Sequence, residues 1–248
     1  MQDNHLIKAL EPLFKVIMLD ITDSTNNEAK RIIASGFKEP FLVISREQTA
    51  GRGRQGKSFF SPKDSGLYMT IGFPIEKNAK DFLYMTSAAA VAVVRELEAL
   101  TGVICRIKWV NDIYLEGKKI SGILTESVLG ENPYIIVGIG INLTTAKFPE
   151  DIKDIAGTLS KDISPALAAS GITLRLKDYF DKGKASFIDD YRKFSLVLDK
   201  EITYIKNGET HFGIATEILD SGALLVVKED GTKEILDSGE ITLRLKNK

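Results

Sequence analysis

In a chain of 248 residues, 33 basic and 34 acidic side chains cancel to a formal net charge of −1, so no global field draws it to nucleic acid or to an anionic membrane. Hydrophobic residues at 44% and charged residues at 27% are a globular balance, enough for one large domain or a large and a small one. The single cysteine, Cys105, excludes an internal disulfide framework, and the longest apolar stretch, Ala88 to Val94, falls far short of the roughly 20 residues a membrane span requires.

Met1 to Leu10 lacks the sustained apolar core of a secretory signal, and a cytoplasmic location is the expectation. Phe14 to Leu19 reads as a first strand. Asp23-Ser24-Thr25-Asn26 follows with a run of N-cap residues, and Thr25 with Glu28 has the spacing of a capping box. The helix it opens is predicted to run to about Ser35 and to stop at Gly36. Phe41 to Arg46 is a second strand, and Gly66 to Phe73 a third that Pro74 ends. Lys80 to Thr101 is predicted as the main helix, with Gly102 at its end.

Four strand-like runs follow: Val103 to Trp109, Ile113 to Leu115, Lys119 to Ser127 and Tyr134 to Leu143, with Gly117 in a tight turn. Thr144 to Lys161 is polar and reads as loop. Pro165 to Ser170 and Thr173 to Phe194 read as helices, with Leu174, Leu176, Tyr179, Phe180, Phe187 and Tyr191 in one apolar stripe. From Glu201 onward, turn signals at Asn207-Gly208, Asp220-Ser221-Gly222 and Asp230-Gly231 divide about five short strands, a meander suited to a small barrel. The predicted division is a catalytic domain over 1–198 and a barrel over 199–248.

Chemistry concentrates at five places. Between the second and third strands stands Gly51-Arg52-Gly53-Arg54-Gln55-Gly56, where glycines permit φ > 0 and close approach to a ligand while two guanidiniums suit phosphate or carboxylate. No acidic residue lies nearer in sequence than Glu47 and Asp64, so the loop's charge is predicted to be free of local neutralisation. Ser24, Thr25 and Asn26 exceed what one helix cap needs. Lys108-Trp109-Val110-Asn111-Asp112 places charge at a strand end, where burial is costly unless paired. Strand alternation sends Lys118 and Lys119 to opposite faces, leaving one of them to point inward. Gly138 and Gly140, alternate in a strand, strip one face of side chains and leave room for a flat ligand or for close helix packing.

Taken jointly, these segments resemble the biotin protein ligases. Gly51 to Gly56, Lys108 to Asp112, Lys119-Ile120-Ser121-Gly122-Ile123-Leu124 and Gly138-Ile139-Gly140-Ile141-Asn142 stand in that family's order and spacing, as do Asp23 to Asn26 and Gly239-Glu240-Ile241-Thr242-Leu243-Arg244. The resemblance runs from Phe14 to Arg244. It implies an α+β fold, with a mixed-sheet catalytic domain of the class II synthetase-like, biotin–lipoate ligase type and a C-terminal SH3-like barrel.

The activity so implied has two steps. Biotin's carboxylate attacks the α-phosphate of ATP, with magnesium, to give biotinyl-5′-adenylate. The ε-amine of a lysine on a biotin carboxyl carrier domain then takes the acyl group. By resemblance, Ser24, Thr25, Asn26, Gln48, Gly51, Arg52, Gly53, Arg54, Lys119, Gly122, Gly138 and Gly140 hold biotin. Arg52, Arg54, Phe59, Lys108, Trp109, Asn111, Asn142 and Arg244 border the nucleotide. Lys119, Arg54 and Asp112 are the implied catalytic residues, with Asp112 also the candidate magnesium ligand.

Val110 stands where many relatives have proline, and Phe59 where some have a tryptophan on the adenine. With the first strand starting near Phe14, no winged helix is expected, hence no operator binding; a homodimer through a sheet edge is a further expectation. The glycine–arginine loop is expected to order over the intermediate. Two rivals are a lipoate or octanoyl ligase of the same superfamily and a non-enzymatic RNA-binding module, the latter disfavoured by the neutral charge.

Overall fold

The computed structural model describes residues 9–76, 84–145, 147–206, 208–237, 239 and 241–243. A seven-stranded sheet forms the centre, from β1 (Lys15–Leu19), β2 (Phe41–Ser45), β3 (Gly66–Pro74), β4 (Arg106–Lys108), β5 (Asp112–Leu115), β6 (Lys118–Val128) and β7 (Tyr134–Asn142), in the order β1-β2-β3-β7-β6-β5-β4. Only β1 and β2 pair in parallel, and a helix, α1 (Thr25–Ala34), provides the crossover that a parallel pair needs. Hairpins and antiparallel pairing make the rest.

The parity of β7 decides what each face does. Ile135, Val137, Ile139 and Ile141 point into the main core, against α2 (Tyr84–Thr101), α3 (Pro165–Lys182) and α4 (Ile188–Phe194). Tyr134 and Ile136 face the other way, onto Ala29 and Ile33 of α1. Because both faces are covered, β7 reads as a nearly unbroken apolar run. Gly138, Gly140 and Asn142 continue the α1 face towards the start of the helix, and there β7 contributes little side-chain bulk.

The elements run close to their predicted spans, with three differences. Val103 to Cys105 stay out of β4, which is only three residues long. One helix, α3, runs through the predicted break after Ser170, and the helix predicted over Thr173 to Phe194 is itself interrupted by a 3-10 turn at Lys184–Ser186 before α4. Leu174 leaves the predicted stripe, 46% exposed, whereas Leu176, Tyr179, Phe187 and Tyr191 are buried. The predicted start of the main helix, Lys80, lies outside the described residues.

Five antiparallel strands close the chain: β8 (Lys200–Lys206), β9 (Glu209–Ile218), β10 (Leu224–Val227), β11 (Lys233–Leu236) and β12 (Ile241–Leu243), in the order β11-β10-β9-β8-β12. Ile202, Tyr204, Ala215, Ile218, Leu224, Val226, Leu236 and Ile241 are its buried residues. One carboxylate, Glu234 on β11, ties that strand to β8 and to the residue after β10 by taking the Tyr204 hydroxyl and the Lys206 and Lys228 ammoniums. Those donors, Lys206 first, hold its carboxyl at about 2, below the usual 4.5. A depressed folded-state value means that the stabilisation is full above pH 4.5 and is lost as pH falls towards 2. Acid titration of far-UV circular dichroism is therefore expected to show a loss of stability in that window that Glu234→Gln removes; an unchanged acid limb in that variant would contradict it.

The small sheet is joined to the large one at the site end. The buried Trp109 indole donates to the Gly222 carbonyl at 3.0 Å, and Arg192 of α4 donates to the Ile218 carbonyl at 2.8 Å. Trp109→Phe leaves that buried carbonyl unpaired, at a cost of about 1–3 kcal/mol. In a chain of this size that is a fall in Tm of about 2–4 °C per kcal/mol, readable by calorimetry. An unchanged Tm would show the bond to be worth nothing.

Candidate active site

A cleft of about 530 Å3 opens on the α1 face of the sheet, where β7 and β6 run out from under the helix. Its floor is bare backbone. Gly122 on β6 and Gly140 on β7 are direct cross-strand partners, and Gly138 lies one pleat further along, opposite Leu124. An added carbon is crowded at two of the three glycines. A Cβ on Gly140 would sit 2.5 Å from the Phe59 ring, and one on Gly138 would sit 2.1 Å from Asn26 Oδ1. Close helix packing, one of the two sequence alternatives, is met at Gly138, where Asn26 of α1 lies on it, and the Phe59 ring lies over Gly140.

The end wall is the start of α1. Ser24 is the N-cap residue, but neither it nor Thr25 caps through its side chain, and Glu28 pairs with Arg31 instead of reaching back. The predicted capping box is absent, because these polar groups are committed elsewhere. Thr25 donates through its backbone amide and its hydroxyl to Gln48 Oε1, at 2.8 and 3.1 Å, and Gln48 Nε2 donates to Ser61 at 2.8 Å. Asn26 accepts from Thr70 at 2.7 Å and donates to Glu126 at 2.9 Å. Ser24, Thr25 and Asn26 are buried and Gln48 is half-buried, and the hydrogen bonds hold Thr25, Asn26 and Gln48 in one orientation each, which is what a preorganised polar wall requires.

Lys119 reaches the floor because β6 is bulged. Ile113 pairs with Ser121 but Tyr114 with Lys119, so Ile120 is the extra residue. An extra residue reverses parity, and Lys119 joins Gly122 on the cleft side: a Cβ on Gly122 would lie 3.3 Å from Lys119 Nζ. Lys118 turns to the carbonyls of Lys153 and Asp154. Of the two lysines, the inward one is Lys119. Its ammonium stands 2.7 Å from Asp112 Oδ1, so cation and carboxylate form one partly solvated pair beside the floor.

The glycine–arginine loop folds as a small hairpin over this pair. Gly53 N–H donates to the Lys57 carbonyl at 2.7 Å and Phe59 N–H to the Gly51 carbonyl at 2.9 Å. Among its glycines only Gly56 takes positive φ, and Gln55 takes the other left-handed position. Gly51 is required by crowding, since a Cβ there would lie 2.3 Å from the Phe59 carbonyl oxygen. The expectation of unneutralised charge is corrected: Arg52 donates to Glu126 and to Asn27 Oδ1, both at 3.2 Å. Arg54 donates to Asn111 Oδ1 at 3.1 Å and reaches the Gly239 carbonyl of the small sheet at 3.4 Å.

Phe59, Lys108, Trp109, Asn111 and Asn142 line the same cleft. Lys108 lies 5.7 Å from the Tyr114 ring centre. Asn142 donates to the Gly157 carbonyl at 3.0 Å, while its Oδ1 is buried with no partner among the described residues. An unmet buried acceptor in a cleft wall suits an N–H of a bound molecule. Every predicted site residue that is described lines the cleft except Gly51, which lies buried beneath the loop; Arg244 lies outside the described residues.

Sequence reasoning missed the opposite wall. Phe148, Ile152, Ile155 and Ala156 come from the stretch read as loop, and that stretch docks by Lys119 N–H to the Ile155 carbonyl and Gly157 N–H to the Lys119 carbonyl, both at 2.8 Å. The spacing of Ile152 and Ile155 in a polar run was the available signal. Tyr114 was also missed; burial, and then the Asp112 charge, raise its hydroxyl above its usual range.

This geometry has relatives. Residues 18–142 match the profile of the biotin/lipoate A/B protein ligase family, and residues 197–244 match the biotin protein ligase C-terminal domain. The chain belongs to the biotin/lipoate A/B protein ligase family. It is 32% identical over 236 residues to the bifunctional ligase/repressor BirA of Bacillus subtilis, covering 89% of this chain and 71% of that protein. It is 27% identical over 233 residues to the biotin–[acetyl-CoA-carboxylase] ligase of Mycobacterium tuberculosis, covering 89% and 85%. Among solved structures, the biotin protein ligase of Aquifex aeolicus in complex with biotin and ATP superimposes with a TM-score of 0.77 at 30% identity, covering 93% of this chain and 98% of that one. Among the described residues, no helix is long and apolar enough to cross a membrane.

Proposed function

We propose that this chain is an ATP-dependent biotin–protein ligase: it activates biotin as biotinyl-5′-adenylate and transfers the acyl group to a lysine of a biotin carboxyl carrier domain. The observation that carries the reading is the convergence of Arg52, Arg54 and Lys119 over a floor of three glycines with one fixed polar wall. A flat, neutral ring system has a bare surface to lie on, and two anions that must meet have three cations near them. The relatives solved with biotin and ATP, and those whose names specify acetyl-CoA carboxylase, support the same substrates and carrier.

In this reading Ser24, Thr25, Asn26 and Gln48 form the wall against which the biotin rings are oriented, and Gly122, Gly138 and Gly140 the surface beneath them. Lys119 holds the biotin carboxylate and stabilises the charge that develops as its oxygen bonds to the α-phosphorus and pyrophosphate leaves. A preorganised cation in a partly dry cleft acts most strongly on charge that appears in the transition state. Arg52 and Arg54 close over the phosphates and exclude water from the anhydride. Asp112 orients Lys119 first and then the incoming amine.

Phe59, Trp109, Asn111 and Asn142 border the nucleotide, and the unmet Asn142 oxygen receives one of its N–H groups. Arg244 is assigned to the same side by resemblance only. Magnesium fits as an ion carried on the nucleotide. Among the described residues no three His, Cys, Asp or Glu side chains stand together, and magnesium commonly takes one or two carboxylates with substrate phosphates. Asp112 would hold it, and the ion would offset phosphate charge. A homodimer through the exposed edge of β1 is the assembly we propose.

The decisive experiment incubates the protein with ATP, magnesium and either biotin or lipoate, and follows pyrophosphate. Release with biotin is the expected result. Release with lipoate alone would move the protein to the other branch of its family, and release with neither would remove the ligase reading.

A further inference from the structure

Glu126 is a carboxylate between Thr125 and Ser127 of β6, one-fifth exposed, at the edge of the cleft. Three donors meet on it. Lys30 Nζ lies 2.8 Å from Oε1, while Asn26 Nδ2 at 2.9 Å and Arg52 Nη1 at 3.2 Å share Oε2. They come from different places: Lys30 and Asn26 from α1, Arg52 from the loop. The same oxygen therefore fixes the polar wall of the cleft and receives the cation of the loop above it. Burial acts to raise the carboxyl, but Lys30, Asn26 and the Arg52 charge outweigh it, and the net shift is downward. Near neutral pH the group is a carboxylate.

We propose that Glu126 is a positioning residue, the clamp that holds the glycine–arginine loop shut over the cleft through Arg52 and so retains the reactive acyl-adenylate until the carrier lysine arrives. The inference rests on the reading of the cleft as the site of biotin activation. A mixed anhydride is open to any nucleophile: the attacking oxygen or nitrogen bonds to the acyl carbon, the carbon–oxygen bond to phosphate breaks, AMP leaves with that electron pair, and the nucleophile's proton passes to solvent. What decides between carrier and bulk solution is how long the loop stays closed. Arg54 ties the other side of the loop to Asn111, while Glu126 is the carboxylate among the loop's partners. Lys30 neutralises Glu126 from below without touching the loop.

The test compares the wild-type chain with Glu126→Gln, Arg52→Ala, the double variant and Lys30→Ala. Each is given biotin, ATP and magnesium with no carrier, and hydroxylamine serves as bulk acceptor. The readouts are the first-turnover burst of pyrophosphate and the steady release after it. The clamp predicts a preserved burst in Glu126→Gln and, for each adenylate formed in the burst, about fivefold faster steady release and hydroxamate formation in both single variants, in keeping with one partly buried charge-assisted contact. Because Arg52→Ala already removes the Glu126 contact, the double variant should be no leakier than Arg52→Ala alone, and Lys30→Ala should stay within about twofold of wild type.

A purely structural role for Glu126 would instead raise the KM for biotin, leave the leak unchanged and add to the effect of Arg52→Ala. Either wild-type leakage in Glu126→Gln or multiplied leakage in the double variant overturns the clamp. If Glu126→Gln does not fold, Arg52→Ala, an exposed substitution, decides the matter from the loop side, and wild-type leakage there overturns it. Absence of a biotin burst in the wild-type chain overturns the underlying reading as well, which the variants alone would not.

Discussion

Lys119→Ala is expected to lower the rate of biotin-dependent pyrophosphate release by about 10²- to 10³-fold, the usual consequence of removing one preorganised donor from developing charge. The lysine reaches the floor only through the bulge at Ile120, and its ammonium is shared with Asp112 at 2.7 Å. Both partners are partly solvated, so losing the pair costs stability no more than about 1 kcal/mol. Activity and stability should therefore separate: melting close to wild type, with the burst nearly abolished. Lys119→Arg is not a conservative repair, because a planar fork cannot deliver a point charge to the same spot. Normal pyrophosphate release by the alanine variant would show that another cation does the work assigned to Lys119.

Gly138→Ala is expected to weaken biotin binding by at least about tenfold and to destabilise the fold by about 1–3 kcal/mol, the range for forcing extra volume into a packed site. The added methyl would meet Asn26 Oδ1 at 2.1 Å. Asn26 has nowhere to retreat, since Thr70, Leu124 and Glu126 already hold its two ends. The displacement passes to α1 and to the Thr25–Gln48 wall. Gly140→Ala is the informative control. Its methyl would meet only the edge of the Phe59 ring, a side chain with a rotatable χ1, so that variant should lose less stability. Isothermal titration with biotin and chemical denaturation read the two effects, and equal losses at both glycines would remove the distinction between a fixed and a yielding neighbour.

Much of the site could be read along the chain because its parts are local. Alternation in the run Tyr134 to Asn142 already separates a face of Ile135, Val137, Ile139 and Ile141 from one carrying Gly138 and Gly140. The loop's two arginines and three glycines declare cation and close approach, and the strand-end placement of Lys108 and Asp112 declares charge that packing does not explain. What failed was where local preference met a distant partner. Thr25 and Glu28 have capping-box spacing, yet Thr25 is bonded to Gln48 and Glu28 to Arg31. Ile152 and Ile155 sit in a polar stretch and become a wall only because that stretch docks on Lys119.

By itself the amino-acid order determined the elements, the glycine-bearing face of β7 and the cationic content of the loop, which depend on residues within a few positions of one another, and the family resemblance, which depends on the order of such short segments along the chain. Tertiary structure decided three further things. It chose Lys119 over Lys118, through a bulge that reverses strand parity. It placed Gly122 opposite Gly140, turning one bare strand into a two-strand floor. It also set Glu126 beneath Arg52, so that one of the two arginines in a loop with no acidic neighbour in sequence is paired with a carboxylate across the cleft. Each of these rests on the pairing order of β5, β6 and β7 and on the seat of α1. Such long-range pairing is selected by burial of the whole sheet, not by any local preference, and that is why the chain alone left the charge of its loop unanswered.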